Sequence, residues 1–260
     1  PQRSTPARRP VGAFDVGAAA LGPAADGIAA LYREDCDVIA LRQAFDPAVL
    51  AHAGARLDGA EATTRPWSRP NERAPLEDVQ LLGTATPATP TYSAPRGVAL
   101  DDYLDNAAAH ADDAEGLFAP GFDPAAELQA LLSRVAGGRP VALARSADGR
   151  PFAPFTIRRL TAGKQIGVHH DNHYGMELYR ELAPQLDTTT LVSFVATLQA
   201  PQQGGELIVY GATSADTDLP RLPNGFAYDL PAIEARYAST TVHTAAGDLI
   251  LLAAGSCLHR

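Results

Sequence analysis

His169 and Asp171 stand two residues apart in the stretch Gln165-Ile166-Gly167-Val168-His169-His170-Asp171-Asn172-His173. Side chains alternate faces along a β-strand, so residues two apart point the same way, roughly 7 Å apart. On a strand, an imidazole and a carboxylate would therefore share one face. Gly167 leaves space beside them, and Ile166 and Val168 turn to the opposite, apolar face. Two His and one carboxylate on one side of an ion, with the remaining positions open, is the facial donor set of non-haem Fe(II). The third donor must come from elsewhere in the chain. His259, within Leu258-His259-Arg260, is the candidate. His243 is the alternative, less well placed because it precedes the apolar run 249–252 rather than following it.

The neighbouring residues divide by parity. His170 should face away from the metal in a structural role. His173 has the parity of Asp171 and, with Asn172 and Tyr174, is a candidate for contacting a substrate. His52 and His110 read as helix or surface residues. Other chemistry can be drawn from the same residues. A zinc hydrolase could use the dense His169-His170-Asp171-His173 cluster, but zinc hydrolases of the His-x-His-x-Asp-His type need a spacing that this cluster does not have. A binding protein without catalysis would leave these groups as polar strand ends. Zinc at full occupancy with hydrolytic turnover would favour the first, and absence of metal-dependent oxygen consumption the second.

The elements that must position these groups change character near residue 139. Before it the patterns are mainly helical. Pro23 to Tyr32 places Ile28, Leu31 and Tyr32 at helical spacing. Asp46-Pro47 reads as an N-cap followed by Pro at the first helical position, in a helix stopped by Gly59 that should bury Val49, Leu50 and Leu57. Val98 to His110 reads as another helix, and Asp123-Pro124 opens a third, ending at Gly137-Gly138 with Leu128, Leu131 and Val135 on one side. Val38–Leu41 is a short strand. Residues 60–97 are polar and Pro-rich, a long loop suited to a lid or a passive excursion.

After residue 139 the chain turns to short β-like runs: Val141–Ala144, Phe155–Leu160, Gln165–Asp171, Leu191–Leu198, Glu206–Tyr210, Thr241–Thr244 and Asp248–Leu252. Gly, Pro, Asn or Asp separate them. Helical patterns interrupt them at Met176–Leu182 and Ala232–Tyr237. Many short strands with turn punctuation indicate a sandwich or a jelly roll. The expected fold is thus α+β, a double-stranded β-helix (jelly roll) flanked by N-terminal helices. The expected organisation is a tail over 1–22 and a single domain over 23–260, helical over 23–139 and β over 140–260.

Composition narrows the function classes. The formal net charge is -9 and no basic stripe is present, which argues against nucleic-acid binding by phosphate neutralisation. The 260 residues, 46% hydrophobic, are enough for one large buried core. Two distant cysteines, Cys36 and Cys257, make no disulfide framework and read as reduced thiols in a cytoplasmic protein. No apolar run reaches the roughly 20 residues of a membrane span. Asp15 interrupts the one apolar stretch behind the N-terminal arginines, so no signal peptide is expected.

Residues from about 151 onward resemble the Fe(II)/2-oxoglutarate-dependent oxygenases. Thr156-Ile157-Arg158, Gly204-Gly205-Glu206-Leu207-Ile208-Val209-Tyr210, Gly247-Asp248 and His259-Arg260 are similar to the standalone aliphatic halogenases that act on welwitindolinone and hapalindole alkaloids. The resemblance implies a jelly roll, Fe(II), 2-oxoglutarate and O2, and a freely diffusing small-molecule substrate, either a natural-product intermediate or an amino acid. Ser193 and Thr197, on one strand face, and Arg158 become candidates to assist the co-substrate. Such enzymes hold its distal carboxylate with an Arg or Lys on the strand after the last His. That residue is expected beyond Arg260, in a natural chain that continues. One departure stands out. The halogenases carry a small residue where this chain has Asp171, and chloride takes the vacated iron position. With a carboxylate there, the expected outcome is hydroxylation; halogenation, desaturation and cyclisation at the same centre are the alternatives.

Overall fold

A computed structural model describes residues 11–17, 26–58, 79–82, 100–160, 163, 165–171, 191–223 and 227–260. Among the described residues the architecture is mixed α/β, with three small sheets and a few helices packed against them. β1 (Ala13–Gly17), β2 (Val38–Arg42), β8 (Leu249–Leu252) and β5 (Ser193–Ala196) form a four-stranded sheet in the order β1-β2-β8-β5. β1 runs parallel to β2; the other pairs are antiparallel. β3 (Val79–Leu82) pairs with β4 (Ile157–Leu160). β7 (Ser239–Val242), β6 (Leu207–Thr213) and β9 (Cys257–His259) make a third sheet in the order β7-β6-β9.

The core follows from sequence pattern. β8 reads Leu-Ile-Leu-Leu and sits between β2 and β5, so both of its edges are paired; its side chains alternate between the two faces of the sheet and all four are buried. With Val38, Leu41, Val209 and Cys257 they form the main apolar cluster. Full burial of each such side chain contributes roughly 2 kcal/mol. Helix α4 (Pro124–Val135) adds Leu128, Leu131 and Val135 from its apolar face. The helix starts where expected, because the Asp123 carboxylate accepts from the Ala125 and Ala126 amides at 2.9 and 3.0 Å. Helix α1 (Gly27–Tyr32) is capped in the same way by Asp26. α2 (Pro47–Asp58), α3 (Leu100–Leu117) and α5 (Leu230–Arg236) are the other helices among the described residues. Among the described residues no helix is long and apolar enough to cross a membrane. Cys36 and Cys257 are buried thiols without a disulfide.

Several expectations from sequence are corrected. Residues 13–17, expected in the tail, form β1; its partner lies 25 residues on, beyond the reach of a local pattern. Residues 79–82, expected in a loop, form β3. Val141–Ala144 is not a strand; the nearest pairing is one bridge between Arg145 and Pro151. α3 extends to Leu117 rather than ending at His110, and β6 runs on to Thr213. Gln165–Asp171 is the correction that matters most. It makes a single bridge, His169 to His259, and then turns at Asp171. The expected helix Met176–Leu182 lies outside the described residues, as do Asn172, His173 and Tyr174.

One clamp fixes the entrance to β8. The Asp248 carboxylate accepts from Arg42 Nη1 at 2.6 Å and from the amides of Gln43 and Ala245 at 3.1 and 3.0 Å. Burial pushes its pKa up, but these backbone and Arg42 contacts outweigh that and hold it low. Gly247 precedes it at a φ of +96°, a backbone region that suits glycine, and a Cβ there would meet the Phe45 carbonyl at 3.1 Å. The Gly-Asp pair is therefore a structural fastening of the strand that leads to β9.

Candidate metal centre

β8 runs into a buried turn, Ala253 to Ser256, and then into β9. The turn is the hub of the site. The Ala253 amide donates to the Asp37 carbonyl, Gly255 to Leu191, and Cys257 back to Ala253, all at 2.9 Å. The Asp171 amide donates to the Ala254 carbonyl at 2.8 Å. His169 and His259 exchange both backbone hydrogen bonds, N to O and O to N, at 2.9 Å each. Main-chain bonds thus hang the 169–171 segment and the approach to β5 from the same turn that delivers His259.

These bonds bring the three expected side chains together. His169 Nε2 lies 3.5 Å from Asp171 Oδ1, and His259 Nε2 lies 4.0 Å from the same oxygen. The two imidazole centroids are 4.3 Å apart. One donor atom from each residue lies within 4.8 Å of the others. His259 is almost fully buried; His169 and Asp171 are partly open to solvent.

The donor chemistry fits a divalent metal. His169 Nδ1 lies 2.8 Å from the Gly167 carbonyl, and His259 Nδ1 lies 3.2 Å from the Cys257 carbonyl. A carbonyl can only accept, so each ring carries its proton on Nδ1 and keeps its lone pair on Nε2, facing Asp171. Burial, reinforced by the neighbouring His169, drives His259 down to about 4, against the opposing pull of Asp171 and the Cys257 carbonyl. That ring is neutral and able to ligate at pH 7. Burial works against ionisation of Asp171. Interactions with the His169 ring, the Ser193 hydroxyl and the His259 ring outweigh it and bring Asp171 to about 2. The site presents two imidazole Nε2 atoms and one carboxylate, the donor set that suits Fe(II).

The chain matches the family of the carrier-protein-independent halogenase WelO5 over residues 13–260. It belongs to that family. It is therefore an Fe(II)/2-oxoglutarate oxygenase of the WelO5 kind, a family that implies Fe(II), 2-oxoglutarate and O2 as reagents. Among solved structures, the chain is similar to an oxidoreductase of the 2OG-Fe(II) oxygenase family from Burkholderia pseudomallei. The identity is 18%, covering 92% of this chain and 82% of that one, with a TM-score of 0.44. No curated protein matches the chain.

The remaining sequence candidates fall in different places. Ser193 is at the centre: its hydroxyl donates to Asp171 Oδ2. Thr197 is four residues further along the same strand direction, roughly 13 Å away. Its backbone amide and carbonyl bond to Asp248 and Gly247, at the far end of β8. Arg158 is exposed on β4, opposite Leu81 of β3, in a sheet separate from those that carry the three ligands. His243 is exposed, 3.9 Å from Glu206, and is not part of the cluster. His110, expected as a helix or surface residue, is buried on α3 against the Phe155 carbonyl.

His170 points away from the ligands, as parity predicts, into a buried apolar cluster. Its Nδ1 lies 2.9 Å from the Tyr228 hydroxyl. Arg221 Nη2 donates to that hydroxyl at 3.1 Å, so the Tyr228 proton is directed to His170. Tyr228 and Arg221 carry no signal in the sequence, since they are far from His170 along the chain and stand in no recognisable spacing to it.

Proposed function

We propose that this protein hydroxylates an unactivated C–H bond of a freestanding small molecule, with Fe(II) held by His169, Asp171 and His259. The observation that carries the reading is the Asp171 carboxylate, whose Oδ1 faces both imidazole Nε2 atoms. In halogenases of this kind a small residue leaves that position to chloride. Here an ionised carboxylate occupies it, adds negative charge and opposes a second anion.

On this reading the scaffold is a jelly roll: β8 and β9, joined by the 253–256 turn, and the 169–171 segment converge on one end of it. The iron, with 2-oxoglutarate and O2, supplies the oxidising power, and 2-oxoglutarate leaves as succinate and CO2. The chain's own residues do the rest. The Nδ1–carbonyl bonds of His169 and His259 orient the rings so that both Nε2 atoms face the ion. Asp171 stays ionised, and the buried turn behind His259 excludes water from that side of the ion. Asn172, His173 and Tyr174 are proposed to face the substrate, and the carrier-protein independence of the family supports a free small molecule rather than a tethered one. Thr197 and Arg158 are proposed to assist the co-substrate.

The test is turnover with Fe(II), 2-oxoglutarate and O2 in the presence of chloride, scored by product mass over a panel of small molecules. Hydroxylated product with stoichiometric succinate is expected. Predominant chlorination would refute the reading. Asp171→Gly should abolish hydroxylation and open the position to chloride; full retained hydroxylation would remove Asp171 from the ligand set.

A further inference from the structure

The two oxygens of Asp171 are not equivalent. Oδ1 faces the Nε2 atoms of His169 and His259, while Oδ2 accepts the hydrogen bond of the Ser193 hydroxyl. Ser193 is itself held from two directions. It pairs with Leu252 in the β5–β8 ladder, and two residues before it the Leu191 carbonyl takes the Gly255 amide at 2.9 Å. Asp171 hangs from Ala254, the residue next to Gly255 in the turn. The hydroxyl and the carboxylate are therefore set against each other by main-chain bonds to one turn and its strand.

A carboxylate can lend a metal one oxygen or two. With two imidazoles, a one-oxygen carboxylate leaves three positions of an octahedron; a two-oxygen carboxylate leaves two. A 2-oxo acid that chelates through two atoms, followed by O2, needs three. We propose that Ser193 is a positioning residue that restricts Asp171 to one-oxygen ligation and so keeps a coordination position free for 2-oxoglutarate and O2. This rests on the reading of His169, Asp171 and His259 as the iron site. It also reassigns Ser193, which acts on the ligand instead of touching the co-substrate.

The experiment uses the metal-free protein loaded with Co(II), whose visible absorption reports coordination number. Co(II) and then 2-oxoglutarate are titrated into wild type, Ser193→Ala, Ser193→Thr and Ser193→Val. Thr and Val are near-isosteres suited to a strand and differ by the hydroxyl, so the comparison survives if Ser193→Ala fails to fold. Wild type and Ser193→Thr should bind both. Ser193→Ala and Ser193→Val should hold Co(II) within a few-fold, show an altered Co(II) spectrum, and bind 2-oxoglutarate about tenfold more weakly, because the second carboxylate oxygen then competes for the position that the chelate needs. Unchanged 2-oxoglutarate affinity in Ser193→Val would overturn the proposal. So would a fall in Co(II) affinity alone, which is what a merely structural hydroxyl would produce. Wild type that takes up no Co(II) would instead overturn the metal site itself.

Discussion

The buried His259 ring makes the stability of the metal-free protein depend on pH. Its pKa falls from 6.5 in the unfolded chain to about 4 in the fold, because burial penalises the charged ring. A depressed pKa means that the folded state resists protonation while the unfolded chain accepts it. The contribution is fully present above about 6.5 and is lost as pH falls through about 4. A fall of that size, at about 1.36 kcal/mol for each pH unit, amounts to about 3 kcal/mol. That is a large part of the roughly 5–15 kcal/mol typical of a domain. The assay is urea unfolding between about pH 7.5 and pH 4 with a chelator present, for wild type and His259→Gln. Groups remote from the site are common to both proteins, so the difference between the two curves reports residue 259 together with its coupling to His169 and Asp171. Wild type should lose about 3 kcal/mol more than the variant on acidification. Parallel curves would show that the ring is not buried as described, and would remove the argument that it enters the site neutral.

Two further outcomes test the supports of the site. Arg42→Ala leaves the buried Asp248 carboxylate with its amide partners alone and should cost about 2 kcal/mol by urea unfolding, the scale of a charged hydrogen bond lost in a partly buried place. Tyr228→Phe removes the hydroxyl beside His170 and should cost about 1 kcal/mol, with Co(II) affinity lowered less than by any ligand substitution, because main-chain bonds still hold residues 169 and 171.

The ligand set is legible in the sequence because its donor types are rare together and because His259 follows a strongly apolar run. Strand alternation alone does not explain how the set assembles. Alternation over Gln165–Asp171 would place His169 and Asp171 on one face, but only His169 is paired, and Asp171 sits where the chain turns. The two side chains meet because the 253–256 turn takes the Asp171 amide while β9 takes both bonds of His169. A non-local hydrogen bond of this kind leaves no periodicity to read. The same limit explains β1, whose parallel partner is β2, and Tyr228, whose partner is 58 residues earlier. The hydroxyl of Ser193 and its strand face are readable in the sequence, but the object of that hydroxyl depends on tertiary register with β8.

The family match and the residue at 171 point to different products, and the geometry indicates how both can hold. Nearly everything that shapes the site is carried by main chain: the His169–His259 bridge, the Asp171–Ala254 bond, and the carbonyls of Gly167 and Cys257 that set the ring tautomers. None of these bonds uses the side chain at 171. A small residue there would leave both imidazoles where they are and open a place for a halide. A carboxylate at the same position needs space and a partner for its second oxygen, and Ser193 is that partner. The choice between hydroxyl and halide transfer can therefore rest on one side chain without rebuilding the fold, provided that the hydroxyl at 193 faces it. This makes the pair, rather than Asp171 alone, the unit to exchange. Asp171→Gly alone leaves the Ser193 hydroxyl aimed at the vacated position, where it can donate to a bound anion. Asp171→Gly with Ser193→Ala removes that donor. Chloride binding to the Co(II)-loaded double variant should be weaker than to the single one, by about the 0.5–1.5 kcal/mol of one hydrogen bond or somewhat more for a charged acceptor. Equal chloride affinity in the two would show that Ser193 does not reach the position that Asp171 occupies.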